Sequence, residues 1–218
     1  MPLINDLLIL LLPDSCPGCR RSLRACENSI CLYCRNSLRR PSLITMEAFR
    51  NKFNFQLDFL YAHWKFVQHG MAQRIIHRIK YGGSSRPARD LGQEIAKNFP
   101  KALDGILVPV PQHPLRTYKR GFNQALELAR GMAAQSGLRI ETRMLQRSRN
   151  WHSQTKKSRM NRLLALENSV KIRGGYKSEH YLLVDDVVTT GATLQTCAER
   201  ILDFYPGSRI SVIVVATV

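Results

Sequence analysis

At 218 residues, 44% apolar and 22% charged, the chain suits one large domain or one domain with a small appendage, and collagen-like, mucin-like and wholly disordered classes are excluded. Lys and Arg number 33 against 16 Asp and Glu, a formal charge of +17, which points to a polyanionic partner: nucleic acid, nucleotide phosphates or anionic lipid. The longest apolar run, Leu3 to Leu12, is interrupted by Asn5 and Asp6 and falls short of the roughly 20 residues of a transmembrane helix. It has no basic residues of the kind that open a secretory signal, so a cytoplasmic protein with a short amphipathic helix packed on its domain is expected.

Five of the six cysteines lie in the first 34 residues. This divides the chain into a cysteine-rich head, residues 1–45, and an alternating strand and helix body, residues 46–218, joined through Arg39 to Ser42. In the body, Leu57 to Phe66 reads as a strand, and Met71, Ile75, Ile76 and Ile79 as one face of a helix. Ile106 to Val110 is a short buried strand, and Phe122, Leu126, Ala129 and Ala133 a second helical stripe. Tyr181 to Val184 is an apolar strand, Leu194, Ala198, Ile201, Leu202 and Tyr205 a third stripe, and Ile210 to Val215 a strand of mostly Ile and Val. That order predicts an α/β fold with a mainly parallel sheet and helices on its faces. The positive charge is uneven, because residues 111–173 hold 14 basic residues and 3 acidic ones.

In the head, Cys16-Pro17-Gly18-Cys19 and Cys31-Leu32-Tyr33-Cys34 are two C-x-x-C pairs separated by 11 residues. Each pair closes a tight knuckle of two thiolates, and two knuckles complete a tetrahedral tetrathiolate site for which zinc is the expected ion. Paired disulfides and an iron–sulfur centre are the competing readings. Four sulfur ligands leave no open position for water, so the role expected is structural. Cys26 is the odd cysteine within the spacer, either a free thiol or a substitute ligand.

The most informative stretch is Val184-Asp185-Asp186-Val187-Val188-Thr189-Thr190-Gly191-Ala192-Thr193. A buried strand brings two adjacent carboxylates to its carboxyl end, where open α/β sheets bind ligands. The carboxylates can accept hydrogen bonds from the two hydroxyls of a ribose. The amides of Thr189 to Thr193 open a helix whose free N–H groups and dipole favour a phosphate. After the earlier strand come Arg116, Lys119 and Arg120, cations able to hold a pyrophosphate, with a helix expected to begin near Gly121. Lys80 and Tyr81 end a helix before Gly82-Gly83; Lys80 could face an anionic ligand or simply be solvated.

The string from Val184 to Thr193 resembles the binding signature of the type I phosphoribosyltransferases, whose ligand is phosphoribosyl pyrophosphate (PRPP) with magnesium. That resemblance assigns Asp185 and Asp186 to the ribose hydroxyls and Thr189, Thr190, Gly191, Ala192 and Thr193 to the 5-phosphate, with Val187 and Val188 in the same binding string. Together with the C-x-x-C pairs, Lys80-Tyr81, Val108-Pro109-Val110-Pro111 and Arg120-Gly121-Phe122-Asn123-Gln124, it resembles the ComF family of bacterial competence-associated proteins over nearly the whole chain. The resemblance implies a zinc-binding head on a phosphoribosyltransferase-like domain, acting in uptake or use of extracellular DNA, with single-stranded DNA and other DNA-uptake or DNA-processing proteins as partners. Within Arg147 to Arg162, the place of a mobile active-site loop, Gln154 and Arg162 match the family's glutamine and arginine, whereas Ala165 and Lys157 replace its usual asparagine and leucine. Three functions stay open: a phosphoribosyltransferase with Asp185, Asp186 and Arg120 as candidate catalytic residues and an unidentified acceptor, a nucleic-acid-binding protein that keeps a PRPP pocket, and a zinc-headed interaction module with a relic pocket.

Overall fold

A computed structural model describes residues 15–147 and 170–218; the Leu3–Leu12 segment and the loop residues Gln154 and Arg162 lie outside the described residues. The elements are α1 (Leu32–Asn36), α2 (Leu43–Arg50), β1 (Leu60–Lys65), α3 (Met71–Tyr81), α4 (Arg86–Ala96), β2 (Ile106–Pro109), α5 (Pro114–Arg120), α6 (Gln124–Ser136), β3 (Arg139–Ile140), β4 (Leu145–Arg147), β5 (Val170–Ile172), β6 (His180–Val188), α7 (Ala192–Phe204) and β7 (Arg209–Thr217). Five strands form a sheet in the order β1-β7-β6-β2-β3, every pair parallel, as the alternating pattern predicts. A separate antiparallel pair joins β4 to β5.

The central strands are buried on both faces, so they read as apolar runs rather than as alternating ones. One face sets Leu107, Leu182, Val184, Ile213 and Val215 against Ile75 and Ile79 of α3 and Leu128 and Met132 of α6. The other sets Ile106, Val108, Tyr181, Leu183, Val212 and Val214 against Leu194, Cys197, Ala198 and Ile201 of α7. The crossover from β2 leads to β3 on one side and that from β6 leads to β7 on the other. The strand order therefore reverses between β6 and β2, which makes their carboxyl ends the expected ligand crevice.

α4 and α6 meet at backbone contact: a Cβ on Gly92 would collide with the Leu128 carbonyl, and one on Gly131 with that of Arg89. This contact rotates α6 away from its expected stripe. It buries Gln124, Ala125, Glu127, Leu128, Ala129 and Met132, whereas Phe122 precedes the helix and Leu126 and Ala133 are only half-buried. Two polar residues on the packed face, Gln124 and Glu127, escape a reading by hydropathy; Glu127 is 3% exposed and is paired with Arg89 and Arg130.

The segment after β2 also differs from the expected turn. Pro114 begins α5, Gly121 ends it in the left-handed region at φ +82°, and the next helix starts at Gln124, its amides capped by Asn123. The head packs on the same core as the body, since Cys16, Ile30, Cys31 and Cys34 share a cluster with Ile75, Ile79, Leu91 and Ile95. Arg78 of α3 donates to the Pro17 carbonyl at 2.9 Å, Arg35 pairs with Glu94 of α4 at 3.0 Å, and residue 45 falls within α2, which is capped by Ser42.

Candidate functional site

The sulfurs of Cys16, Cys19, Cys31 and Cys34 all lie within 4.8 Å of one another. A tetrahedral zinc–thiolate centre with bonds of about 2.3 Å has sulfur–sulfur edges near 3.8 Å, and the Cys19–Cys31 separation is 3.7 Å. The N–H groups of Gly18 and Cys31 point at the Cys16 sulfur, and that of Cys34 at the Cys31 sulfur, each at 3.4 Å. Burial pushes the Cys16 thiol up, but hydrogen bonds from the amides of Cys31, Cys19 and Gly18 outweigh it and bring it down to about 7. Burial raises Cys31 and Cys34. Glu27 ties the knuckles together by accepting from the amides of Arg24 at 3.0 Å and Leu32 at 2.8 Å and pairing with Arg21 at 2.8 Å. The four cysteines could therefore hold a metal such as zinc, and exposed Cys26 lies outside the cluster.

At the carboxyl ends of β6 and β2 lies a cleft of about 470 Å³. β6 runs on through Val188, so the two aspartates sit within the strand rather than beyond it. Because side chains alternate, Asp186 turns toward α3, where Lys80 Nζ lies 2.6 Å from its Oδ2, while Asp185 turns toward Arg147 and Cys197. Both nevertheless border the cleft. Burial and the adjacent Asp186 carboxylate push Asp185 up to about 7, against the opposing pull of the Asp186 amide, Lys80 and Arg147.

Opposite the acidic pair, the cleft is walled by cations. Arg120 donates to the Tyr81 hydroxyl at 3.0 Å and lies over its ring, 4.9 Å from the centroid. That hydrogen bond lowers the Tyr81 pKa. Arg120 also donates to Gln124 Oε1 at 3.1 Å, which accepts from Gln112 as well. Arg116, His113 and Arg147 complete this wall. At the third side, Gly191 adopts φ +81° at the N-cap of α7, where it offers no capping side chain, and the Ala192 amide donates to Thr190 Oγ1 at 3.4 Å. Lys52 braces the loop by donating to the Thr189 carbonyl at 2.6 Å.

Of the residues singled out in the sequence, Lys80, Tyr81, Arg116, Arg120, Asp185, Asp186, Val187, Thr189 and Thr193 border this one cleft. Thr190, Gly191 and Ala192 belong to the loop and first turn beside it. Val188 has its side chain in the core, 2% exposed, leaving only its backbone for a ligand, and Lys119 points outward to solvent. The helix that opens near this turn starts at Gln124, and Gly121 instead ends α5. Arg147, expected at the start of the loop segment, lines the cleft, and Gln124, the last residue of the Arg120–Gln124 string, accepts from Arg120; Lys52 and Gln112 went unread, since neither carries a spacing signal.

Two buried histidines stand in polar clusters of their own. His63 is buried against Glu94, Tyr61 and Arg40. His180 bridges Asp104 at 2.9 Å and Ser211 Oγ at 2.6 Å. This resembles a catalytic triad in outline, but Ser211 is fully buried and accepts the Phe59 amide at 3.0 Å, so the cluster staples the amino ends of the strands.

No protein-family model matches the chain. It is 28% identical over 206 residues to the competence protein ComFC of Bacillus subtilis, covering 90% of this chain and 82% of that protein. It is 24% identical over 191 residues to competence protein F of Haemophilus influenzae, covering 82% and 80%. It is 28% identical over 135 residues to the DNA utilization protein YhgH of Salmonella typhi, covering 59% of this chain and 60% of that protein. Among the described residues no helix is long and apolar enough to cross a membrane. The chain is thus similar, at 24–28% identity, to ComF-type proteins that carry competence and DNA-utilization names.

Proposed function

We propose that the protein binds PRPP with magnesium in the cleft between β6 and β2 and acts in the cytoplasm in DNA uptake or the use of extracellular DNA, contacting single-stranded DNA. The observation that carries the reading is the pairing of an acidic strand end and a glycine-led helix start with a cationic wall across one cleft. Each ligand group has a counterpart. Asp185 and Asp186 accept from the ribose hydroxyls, and the amides and hydroxyls of Thr189 to Thr193 take the 5-phosphate. Arg116, Arg120 and Lys80 face the pyrophosphate, with Arg120 held in place by Tyr81 and Gln124.

Magnesium is usually held by one or two carboxylates together with substrate phosphates, and the acidic pair fits that donor set. When bound, the ion supplies charge compensation for the pyrophosphate. Zinc in the cysteine head is structural in this reading, and the head and basic surface serve DNA-uptake or DNA-processing partners.

Calorimetric titration with PRPP, with and without magnesium, tests the pocket. Saturable, magnesium-dependent binding is expected, weakened about tenfold or more in Asp186→Asn through loss of a charged hydrogen-bond acceptor. Absence of binding in the wild type under every condition, or equal binding by the variant, would refute the reading.

A further inference from the structure

α5 is a ridge with three differently occupied sides. At 100° per residue, Arg116 and Arg120 fall on one side, and both line the cleft of the acidic pair. Pro114 and Thr117 fall on another, and both line a second, larger cleft of about 850 Å³ that also takes in Lys171 and Arg173 and has no acidic residue in its wall. Leu115, Tyr118 and Lys119 fall on the third side, the crest. There Leu115 is 65% exposed and Tyr118 87% exposed, an aromatic ring standing in solvent between a hollow without acidic residues and the cationic wall of the cleft that holds the acidic pair.

Packing does not account for that ring. Tyr118 makes no hydrogen bond or ring contact among the described residues, and α5 buries none of its residues. From His113 to Gln124 there is no acidic residue, within a segment of 14 basic and 3 acidic residues. An exposed aromatic ring flanked by cations is the arrangement that takes an unpaired nucleobase by stacking and its neighbouring phosphates by charge. A duplex offers no such free base face.

We infer that the crest of α5 is a single-strand platform, on which Tyr118 stacks against a base while Lys119 and the cations of the two adjoining clefts hold the phosphates on either side. The strand then passes over the ridge from one cleft toward the other. The inference rests on the DNA-contacting half of the proposed function and is independent of PRPP binding.

The test is fluorescence anisotropy of a short labelled oligothymidylate with wild type, Tyr118→Ala, Tyr118→Trp and Lys119→Ala at several salt concentrations. Loss of one stacking platform should weaken binding at least about fivefold in Tyr118→Ala, and Tyr118→Trp should restore it. Lys119→Ala should lower the salt slope by about 0.7, the value for one phosphate contact on a single strand. Thermal melting and PRPP titration should be the same for Tyr118→Ala and wild type. Wild-type affinity in Tyr118→Ala, or a wild type that does not bind the strand, overturns the platform. An equal loss of binding to phosphatidylglycerol vesicles also overturns it, by reassigning the crest to lipid. A wild type that binds the strand but not PRPP leaves the platform standing and removes the pocket reading instead.

Discussion

In the ligand-free protein Asp185→Asn is expected to stabilise the fold at high pH and to be nearly silent at low pH. Asp185 has its native pKa raised to about 7, first by burial and then by the Asp186 carboxylate, whereas an unfolded aspartate titrates near 3.9. The native state thus binds this proton more tightly than the unfolded state. Its stabilising contribution is complete below the unfolded value and is lost as pH rises through about 7. At about 1.36 kcal/mol per pH unit the interval corresponds to an upper bound of about 4 kcal/mol. The carboxylate borders an open cleft and is partly solvated, so about 1–2 kcal/mol is the realistic share, or about 2–8 °C in melting temperature for a chain of this size. Asparagine keeps the Oδ1 that accepts the Asp186 amide at 2.8 Å, so little else changes. Melting curves for wild type and variant in magnesium-free buffer from pH 5 to pH 9 would show the difference opening as pH rises. A pH-independent offset, or a variant less stable than wild type above pH 8, would refute the reasoning.

Two further outcomes follow from packing and from the cysteine head. Gly131→Ala forces a Cβ against the Arg89 carbonyl and should cost about 1–3 kcal/mol in urea denaturation, the usual range for overpacking. Cys34→Ser should release metal to a chromophoric chelator and lower the melting temperature, whereas Cys26→Ser, a change at an exposed residue outside the cluster, should do neither.

What was legible in the sequence is what period and spacing encode. Strands buried on both faces announce themselves as apolar runs, so β6 and β7 were readable, and the C-x-x-C pairs and the acidic string carry their chemistry in adjacent residues. α3 was readable from Ile75, Ile76 and Ile79. α4 went unread although Pro87 in its first turn and the spacing of Ala88, Leu91 and Ile95 supply the signals of a helix. The face of α6 was misread because it is chosen by a glycine contact and includes a buried glutamate, neither of which hydropathy scores. The splitting of the aspartates toward opposite sides of β6 follows from strand pleating, but it becomes visible only once the strand is known to extend past them. Lys52 reaches the site from a segment remote in sequence, and no local pattern marks such a residue.

The length of α3 is set by two clients at once. Arg78 fastens the cysteine head through the Pro17 carbonyl, and two residues later Lys80 fastens the acidic strand through Asp186. A residue inserted or deleted between them would swing Lys80 by about 100° and slide it by about 1.5 Å along the axis, carrying the ammonium off its carboxylate while the head stayed docked. The last turn of α3 is thus the common gauge from which both the cysteine head and the floor of the cleft take their positions.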